Sequence, residues 1–317
     1  MIEVQDLTKY FGSTLAVNHV SFKVEKGEIV GLLGPNGSGK TTMMRILTGF
    51  FPPTSGRAMI AGMDVAEHSL ETRRRVGYLP ENMVLYPDLS VLALLEFGAR
   101  VRGLDAKTSR ERIDYSINTC GLGDVRRKLI GKLSKGYRQR VGIAQAILSD
   151  PEVLILDEPT VGLDPRQVVE IRELIRSLAG RSTVLLSTHI LPEVNVTCRR
   201  VVIIDKGVIV AQDTPEKLTA KLAGSDQTII TVAGPADAVR AALGSVPKVD
   251  RVEDRPSDGQ GPAVCSFTAF SSGNGDEVRS ALAACVVQHG WGLLEVKPLA
   301  LSLEDLFMRL VTKEERV

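Results

Sequence analysis

Short apolar runs recur through the first two-thirds of the chain. Ile29-Val30-Gly31-Leu32-Leu33 is apolar throughout, and similar runs follow at 153–156, 184–186 and 201–204. Unbroken runs of this length between turn residues predict strands buried on both faces of a sheet. The last of them leads into Asp205-Lys206-Gly207 and another run at 208–210, which predicts a hairpin. Shorter strands are expected at 2–4 and 20–24, with turns around Gly12 and Gly27. From Pro87 to Leu148 the period changes. Leu92, Leu95 and Ala99, then Ile113, Ile117 and Cys120, then Val141, Ala144 and Leu148 stand three or four residues apart, the spacing of one helix face. These positions predict a mostly helical subdomain at about 87–148, inserted before the 153–156 strand. Strands alternating with helices make the fold class α/β, with helices on both sides of the sheet.

Thr214-Pro215 pairs a capping residue with a proline suited to the first helical position, and the first domain is expected to span 1–222. A second, smaller domain is expected over 223–317. There, 228–232, 249–252, 264–270 and 293–296 read as strands, and 236–243, 276–289 and 303–311 as helices. The order βαββαβ with a final helix predicts a small α+β domain of the split βαβ kind. It carries no residues that point to chemistry, and Trp291, the single tryptophan, is expected in its core.

With 317 residues and a formal net charge of +1, the chain has room for two domains and no global field to attract nucleic acid. Basic clusters such as Arg73-Arg74-Arg75 and Arg126-Arg127-Lys128 read as solvated helix faces. No apolar run is long enough to span a bilayer, and the opening residues lack the pattern of a signal peptide. The four cysteines and four histidines have no metal-ligand spacing. The expectation is a cytoplasmic protein with reduced thiols and no cysteine or histidine metal centre.

Gly34-Pro35-Asn36-Gly37-Ser38-Gly39-Lys40-Thr41 follows the buried 29–33 strand and opens a helix that Gly49 stops. Glycines let successive backbone N–H groups turn inward as an anion nest, and the helix N-terminus adds its positive end. This GxxxxGK[ST] pattern predicts that Lys40 would reach the outer phosphates of ATP, that the Thr41 hydroxyl would ligate Mg²⁺, and that Thr42 would offer one more donor. The 153–156 strand ends in Asp157 and Glu158, at the strand end where open α/β sheets bind ligands. A phosphate-binding enzyme needs one carboxylate for the metal and a second group to orient water. Asp157 fits the first role and Glu158 the second.

Further motifs follow in order. They are Leu133-Ser134-Lys135-Gly136-Tyr137, then Leu154 to Thr160, then Gly162-Leu163-Asp164-Pro165, then Ser187-Thr188-His189. Together with the P-loop this set resembles the ATP-binding subunit of ABC transporters, with signature loop, Walker B, D-loop and H-loop, over about residues 2–222. The resemblance implies a P-loop NTPase fold and a nucleotide site shared between two subunits, with Ser134, Lys135 and Gly136 facing the partner's triphosphate. It implies that Phe11, or its neighbour Tyr10, stacks on adenine, that His189 contacts the γ-phosphate, and that Asp164 links the two sites. Plainer roles stand beside these: Phe11 as a core aromatic, His189 as a satisfied core or cap histidine, and Ser134 and Asp164 as helix N-caps.

The sequence departs from the family's usual motifs in two places. Lys135 and Tyr137 stand where the signature has glycine and glutamine, and a lysine in a helix's first turn opposes the dipole unless an anion lies opposite. Glu81 stands where most members have glutamine, either as a stronger Mg²⁺ ligand or as a conservative variant in a moving loop. The resemblance further implies a homodimer beside a separate polytopic membrane permease, on the cytoplasmic face of the membrane. Residues 70–75 with Glu81 and Asn82 would form part of the docking groove. Glu81 in its Leu79-Pro80-Glu81 context, the Lys135-Gly136-Tyr137 signature and an ending at Ser302 to Phe307 look like the single-cassette export subunits of drug, polysaccharide, gliding-motility or copper-enzyme maturation systems. The alternative is a soluble ABC ATPase acting on ribosomes or DNA, which the absence of a second cassette or a basic aromatic stripe disfavours.

Overall fold

The computed structural model describes residues 1–222, 226–255, 264–272 and 275–299, so the helix expected at 303–311 lies outside the described residues. The chain forms two compact units that divide between Pro215 and Glu216, a few residues before the expected boundary. Among the described residues no helix is long and apolar enough to cross a membrane.

The first unit opens with β1 (Ile2–Phe11) and β2 (Thr14–Val24), then β3 (Ile29–Leu33), α1 (Lys40–Leu47), β4 (Ser55–Ile60), β5 (Met63–Asp64), α2 (Ser69–Arg75) and β6 (Val76–Leu79). Three helices follow, α3 (Val91–Val101), α4 (Ala106–Thr119) and α5 (Lys135–Ile147). The unit continues with β7 (Val153–Asp157), α6 (Pro165–Ser177), β8 (Thr183–Thr188), α7 (Leu191–Thr197), β9 (Arg200–Asp205) and β10 (Val208–Asp213). Helix α8 (Pro215–Leu222) spans the division.

β1 and β2 are much longer than expected. Asp6 and His19 both take φ of 49°, and the pairing slips between Val4 and Leu7. A bulge adds an unpaired residue and interrupts the two-residue alternation, which erases the pattern that would reveal one long strand. β4, β5 and β6 were not anticipated, being too short or too exposed to show a period.

Two sheets carry the unit. One is antiparallel in the order β2-β1-β4-β5, and the other has the order β10-β9-β3-β8-β7-β6 with only β10 antiparallel. The β9–β10 hairpin turns on Lys206 and Gly207, both at positive φ, as a tight two-residue hairpin turn demands. Met43, Met44, Ile46 and Leu47 of α1 are buried in one core with Leu7, Val17 and Phe22 of the first sheet and Leu32, Ile155 and Leu185 of the second. α1 is thereby fixed between the sheets, which fixes the loop preceding it.

The expected helical subdomain forms as α3, α4 and α5. Ser90, Asp105 and Ser134 cap them by accepting from Ala93, from Lys107 and Thr108, and from Tyr137 backbone N–H groups. The far end of α5 is satisfied by a side chain. Arg112 of α4 donates to the carbonyls of Leu148 and Ile147 at 3.1 and 2.8 Å. Asp150 then joins Arg112 to Arg181, and both guanidinium groups lie over the Tyr115 ring.

The second unit comprises β11 (Asp226–Ala233), α9 (Ala236–Gly244), β12 (Val249–Arg255), β13 (Val264–Ser271), α10 (Gly275–Gln288) and β14 (Gly292–Pro298). Its antiparallel sheet has the order β12-β13-β11-β14, the split βαβ arrangement. Ile230, Val232, Phe267 and Ala269 pack with Val239, Leu243, Val278, Leu282 and Val286 of the two helices, and Trp291 lies partly buried against them. Phe267, 1% exposed, is the largest side chain in that core. Phe267→Ala is expected to cost the second unit roughly 3–5 kcal/mol. Calorimetry of the full chain should show its transition move down while that of the first unit stays in place.

Candidate active site

Four neighbouring parallel strands end side by side. Their register pairs Leu33 of β3 with Thr188 of β8, Ser187 of β8 with Asp157 of β7, and Leu156 of β7 with Leu79 of β6. The segments that leave these carboxyl ends are the 34–42 loop, Asp157-Glu158, His189 and Pro80-Glu81. One cavity of about 400 Å³ is lined by Lys40, Thr41, Thr42, Glu81, Glu158 and His189, among others. Residues more than a hundred positions apart in sequence are thus gathered by strand order alone.

The loop's shape is set by its glycines. A β-carbon on Gly34 would lie 2.3 Å from the Ile204 carbonyl oxygen, and one on Gly39 would lie 2.5 Å from that of Ala16. Gly39 also takes φ of 103°, where any other residue is strained. Gly39 caps α1 without a side chain, so the first-turn N–H groups of Lys40, Thr41 and Thr42 face the cavity without a capping acceptor. The Ser38 hydroxyl is buried with no hydrogen-bond partner. Lys40 is 6% exposed. Its ammonium donates to the carbonyls of Gly34 at 2.7 Å and Pro35 at 3.0 Å, and stands 3.7 Å from Glu158. Burial lowers its pKa from the ordinary lysine value, while Glu158, Asp157 and Glu81 pull the other way. An uncapped helix N-terminus with a buried ammonium beside it is a site for a polyvalent anion.

The carboxylates sit in different surroundings. Asp157 is fully buried, and its Oδ1 accepts from the Ser187 hydroxyl at 2.5 Å and the Thr41 hydroxyl at 3.4 Å. Its Oδ2 is buried without a partner. Glu158 turns the chain sharply, at φ of 50°, a left-handed conformation rare outside glycine. Its backbone N–H donates to the Ser187 hydroxyl at 3.0 Å, so Ser187 ties both acids to β8. Both carboxylate oxygens of Glu158 accept from His189 Nδ1 at 3.0 Å. Tyr78 on β6 has its phenol pushed up to about 12, first by burial and then by the charge of Asp157.

Other expected site residues lie elsewhere. Gly136 and Asp164 line a separate cavity of about 460 Å³ with Arg140 and Gln167. Gly136 packs on the Gln167 side chain with no room for a β-carbon. Ser134 and Asp164 both act as N-caps, of α5 and α6. The Lys135 ammonium occupies the space a β-carbon on Gly162 would need. It makes no hydrogen bond or ion pair among the described residues. Phe11 is 41% exposed, in edge-on contact with Phe51 at 5.2 Å and beneath the Lys9 ammonium at 5.1 Å. Tyr10 beside it is 45% exposed.

Sequence reasoning gave no role to Ser187, Thr160, Thr188 or Glu193, which the structure joins to the acids and the histidine. Ser187 and Thr188 belong to the Ser187-Thr188-His189 motif. Glu193, four residues after His189, had as its only signal a carboxylate in a helix that is otherwise mostly apolar.

A sequence profile of the ABC transporter family matches residues 17–161. The chain is 37% identical over 228 residues to the probable multidrug ABC transporter ATP-binding protein YbhF of Escherichia coli, a match covering 72% of this chain but 39% of that protein. It is 30% identical to the linearmycin resistance ATP-binding protein LnrL of Bacillus subtilis, over 100% of both chains. Among solved structures, the dimeric structure of MJ0796, a bacterial ABC transporter cassette, aligns with a TM-score of 0.62 and 26% identity. That match covers 68% of this chain and 98% of that one. The same cassette has been solved in a dimeric post-hydrolysis state bound to ADP and Pi.

The buried hydroxyl of Ser187 is the joint of the two acids. Ser187→Ala should cost about 1–3 kcal/mol, the scale of leaving buried groups unsatisfied. A urea unfolding midpoint that drops with unchanged slope would register it.

Proposed function

This chain belongs to the ABC transporter ATP-binding proteins, and from that membership we propose that it binds and hydrolyses ATP at the 34–42 loop to drive a separate membrane permease. The observation that carries the reading is one cavity in which the uncapped N-terminus of α1, buried Lys40, Glu158 and His189 all meet. The triphosphate would lie on the N–H groups of the loop and α1, with Lys40 against its outer phosphates. Phe11, or Tyr10 beside it, would stack on the adenine.

Glu158 is the group that would orient the attacking water. His189 Nδ1 stands 3.0 Å from both carboxylate oxygens of Glu158, and the Lys40 ammonium 3.7 Å from Oε1. A buried carboxylate hydrogen-bonded by His189 and paired with an ammonium is restrained in the orientation it must hold to align water, which is the positional part of base catalysis. His189, 41% exposed at its side chain, has a ring edge free to meet the γ-phosphate as charge develops there.

Magnesium fits the adjoining acid. Asp157 Oδ2 is buried without a hydrogen-bond partner, the Thr41 hydroxyl stands beside Oδ1, and hard oxygen donors are the ligands this ion accepts. Thr41 and Asp157 would hold it, with Glu81 at the cavity wall, and when bound it would neutralise charge on the phosphate oxygens.

The signature residues Ser134, Lys135 and Gly136 are not in the ATP cavity of their own chain. That separation supports a homodimer in which each molecule presents its α5 N-terminus to the other's triphosphate, with Asp164 linking the two sites. Lys135, exposed and unpaired among the described residues, would add charge over the partner's γ-phosphate. A groove of about 320 Å³ runs between the 78–85 stretch and helices α3 and α5, edged by exposed Val84, Phe97 and Val101. It would receive a short helix of the permease, and the protein would then work on the cytoplasmic face of the membrane. The names of YbhF and LnrL favour export and resistance over a role on ribosomes or DNA.

Glu158→Gln should lower ATP turnover about 10²–10⁴-fold, the range for a general base, while nucleotide binding measured by filter retention survives. Unchanged turnover would remove Glu158 from this role. Lys135→Gly should weaken ATP-driven dimerisation roughly tenfold, about the worth of one charge-assisted hydrogen bond. Analytical ultracentrifugation at two salt concentrations would show it, and identical dimerisation and salt response would exclude a contact with the partner's phosphate.

A further inference from the structure

Glu193 is a carboxylate with 3% exposure inside α7, away from the cavity wall. Its two oxygens take different loads. Oε1 accepts from the Thr160 hydroxyl at 2.6 Å, and Oε2 accepts from the Thr188 hydroxyl at 3.0 Å. Both threonines are buried. Thr160 lies two residues after Glu158, and Thr188 immediately precedes His189. The Thr188 hydroxyl also accepts from the backbone N–H of Ile190 at 3.0 Å, so it braces His189 from both sides in sequence. Arg172 of α6 stands 3.6 Å away as the nearby cation, with its Nε buried and unpartnered.

A carboxylate with so little water around it costs several kcal/mol to desolvate. An apolar side chain would fill the same space without that cost. The charge is retained where one group must accept two hydroxyls that belong to two different loops. Those loops carry the two ends of the 3.0 Å contact between Glu158 and His189. Glu158 itself sits at positive φ, a conformation that persists only where its surroundings over-determine it, and the Thr160 anchor lies just beyond that turn.

We propose that Glu193 is a positioning residue, which holds the water-orienting Glu158 and the phosphate-facing His189 in mutual register through the hydroxyls of Thr160 and Thr188. The proposal rests on the ATPase reading given above. Through this clamp, movement of α7 or α6 is transmitted to both catalytic loops at once, and neither loop can shift without the other. Reacting groups misplaced by an ångström lose on the order of a hundredfold in rate, while the anion nest, built on other residues, keeps its grip on ATP.

Glu193→Gln keeps the volume and removes one of the two equivalent acceptors. In the full-length chain it is expected to lower kcat about 10–100-fold, to leave KM for ATP within about twofold, and to leave the thermal midpoint close to that of the parent. Combined with Glu158→Gln it should add less than about twofold to the loss, because a register that serves Glu158 has nothing left to serve. Thr160→Val and Thr188→Val each remove one anchor and should each lower kcat about tenfold at unchanged KM, which keeps the test open should the glutamine variant misfold. Wild-type kcat in these variants, a loss carried by KM, or losses that multiply in full with Glu158→Gln would overturn the proposal. A parent chain without any ATP turnover would overturn the underlying reading together with it, and wild-type turnover measured alongside separates the two cases.

Discussion

Burying an ammonium group beside two carboxylates is stable only while each charge keeps its partners. Lys40 meets that condition through the carbonyls of Gly34 and Pro35 and through Glu158. Asp157 meets it through Ser187 and Thr41. These partners come from the loop after β3, the residue after β7, from β8 and from the start of α1, so the charges are tolerated only because the parallel register of the sheet is what it is. A slip of one residue between β7 and β8 would separate Ser187 from Asp157 and orphan an acid in the core. The sheet order, the glycine loop and the placement of α1 between two sheets can all be read as conditions for holding that charge cluster.

Much of this was legible from the chain because the loop and the acid pair are contiguous in sequence. Gly34 to Thr42 sit in one stretch after an apolar run, and Asp157-Glu158 end another, so local order already implied the geometry. The second unit's βαββαβ order was legible for a similar reason: each strand and helix is a single stretch rich in β-branched or helix-forming residues, set off by turn residues. Where local order was disturbed, legibility failed. The left-handed Asp6 and His19 hid the true length of β1 and β2, and β6 with four residues was too short to carry a period.

The clamp at Glu193 was illegible for another reason. Thr160, Thr188 and Glu193 are unremarkable polar residues when taken singly, and their meaning comes from a meeting that only the fold arranges. The side chain of Lys135 teaches the same lesson. From sequence it is a cation against a helix dipole, whereas its actual resting place over Gly162 depends on α5 and the segment before α6 lying together. Composition and spacing reveal what kind of chemistry is present, and tertiary contact decides which groups share it.

The two ends of α5 are held very differently. Its carboxyl end is locked by Arg112, which binds the last carbonyls and is itself wedged with Tyr115, Asp150 and Arg181. Its amino end packs Gly136 on Gln167, and one turn further on Arg140 pairs with Glu170 of α6 at 2.7 Å. A tilt of the helix about Arg112 would therefore be resisted chiefly by the Arg140–Glu170 pair. With 13 residues the helix is about 20 Å long, so a tilt of about 10° there sweeps Gly136 through roughly 3 Å. A push delivered near the groove beside α3 and α5 would be magnified at the tip that carries the signature residues, with the bonds of Arg140 to Glu170 and to the Cys120 carbonyl as the contacts that must give.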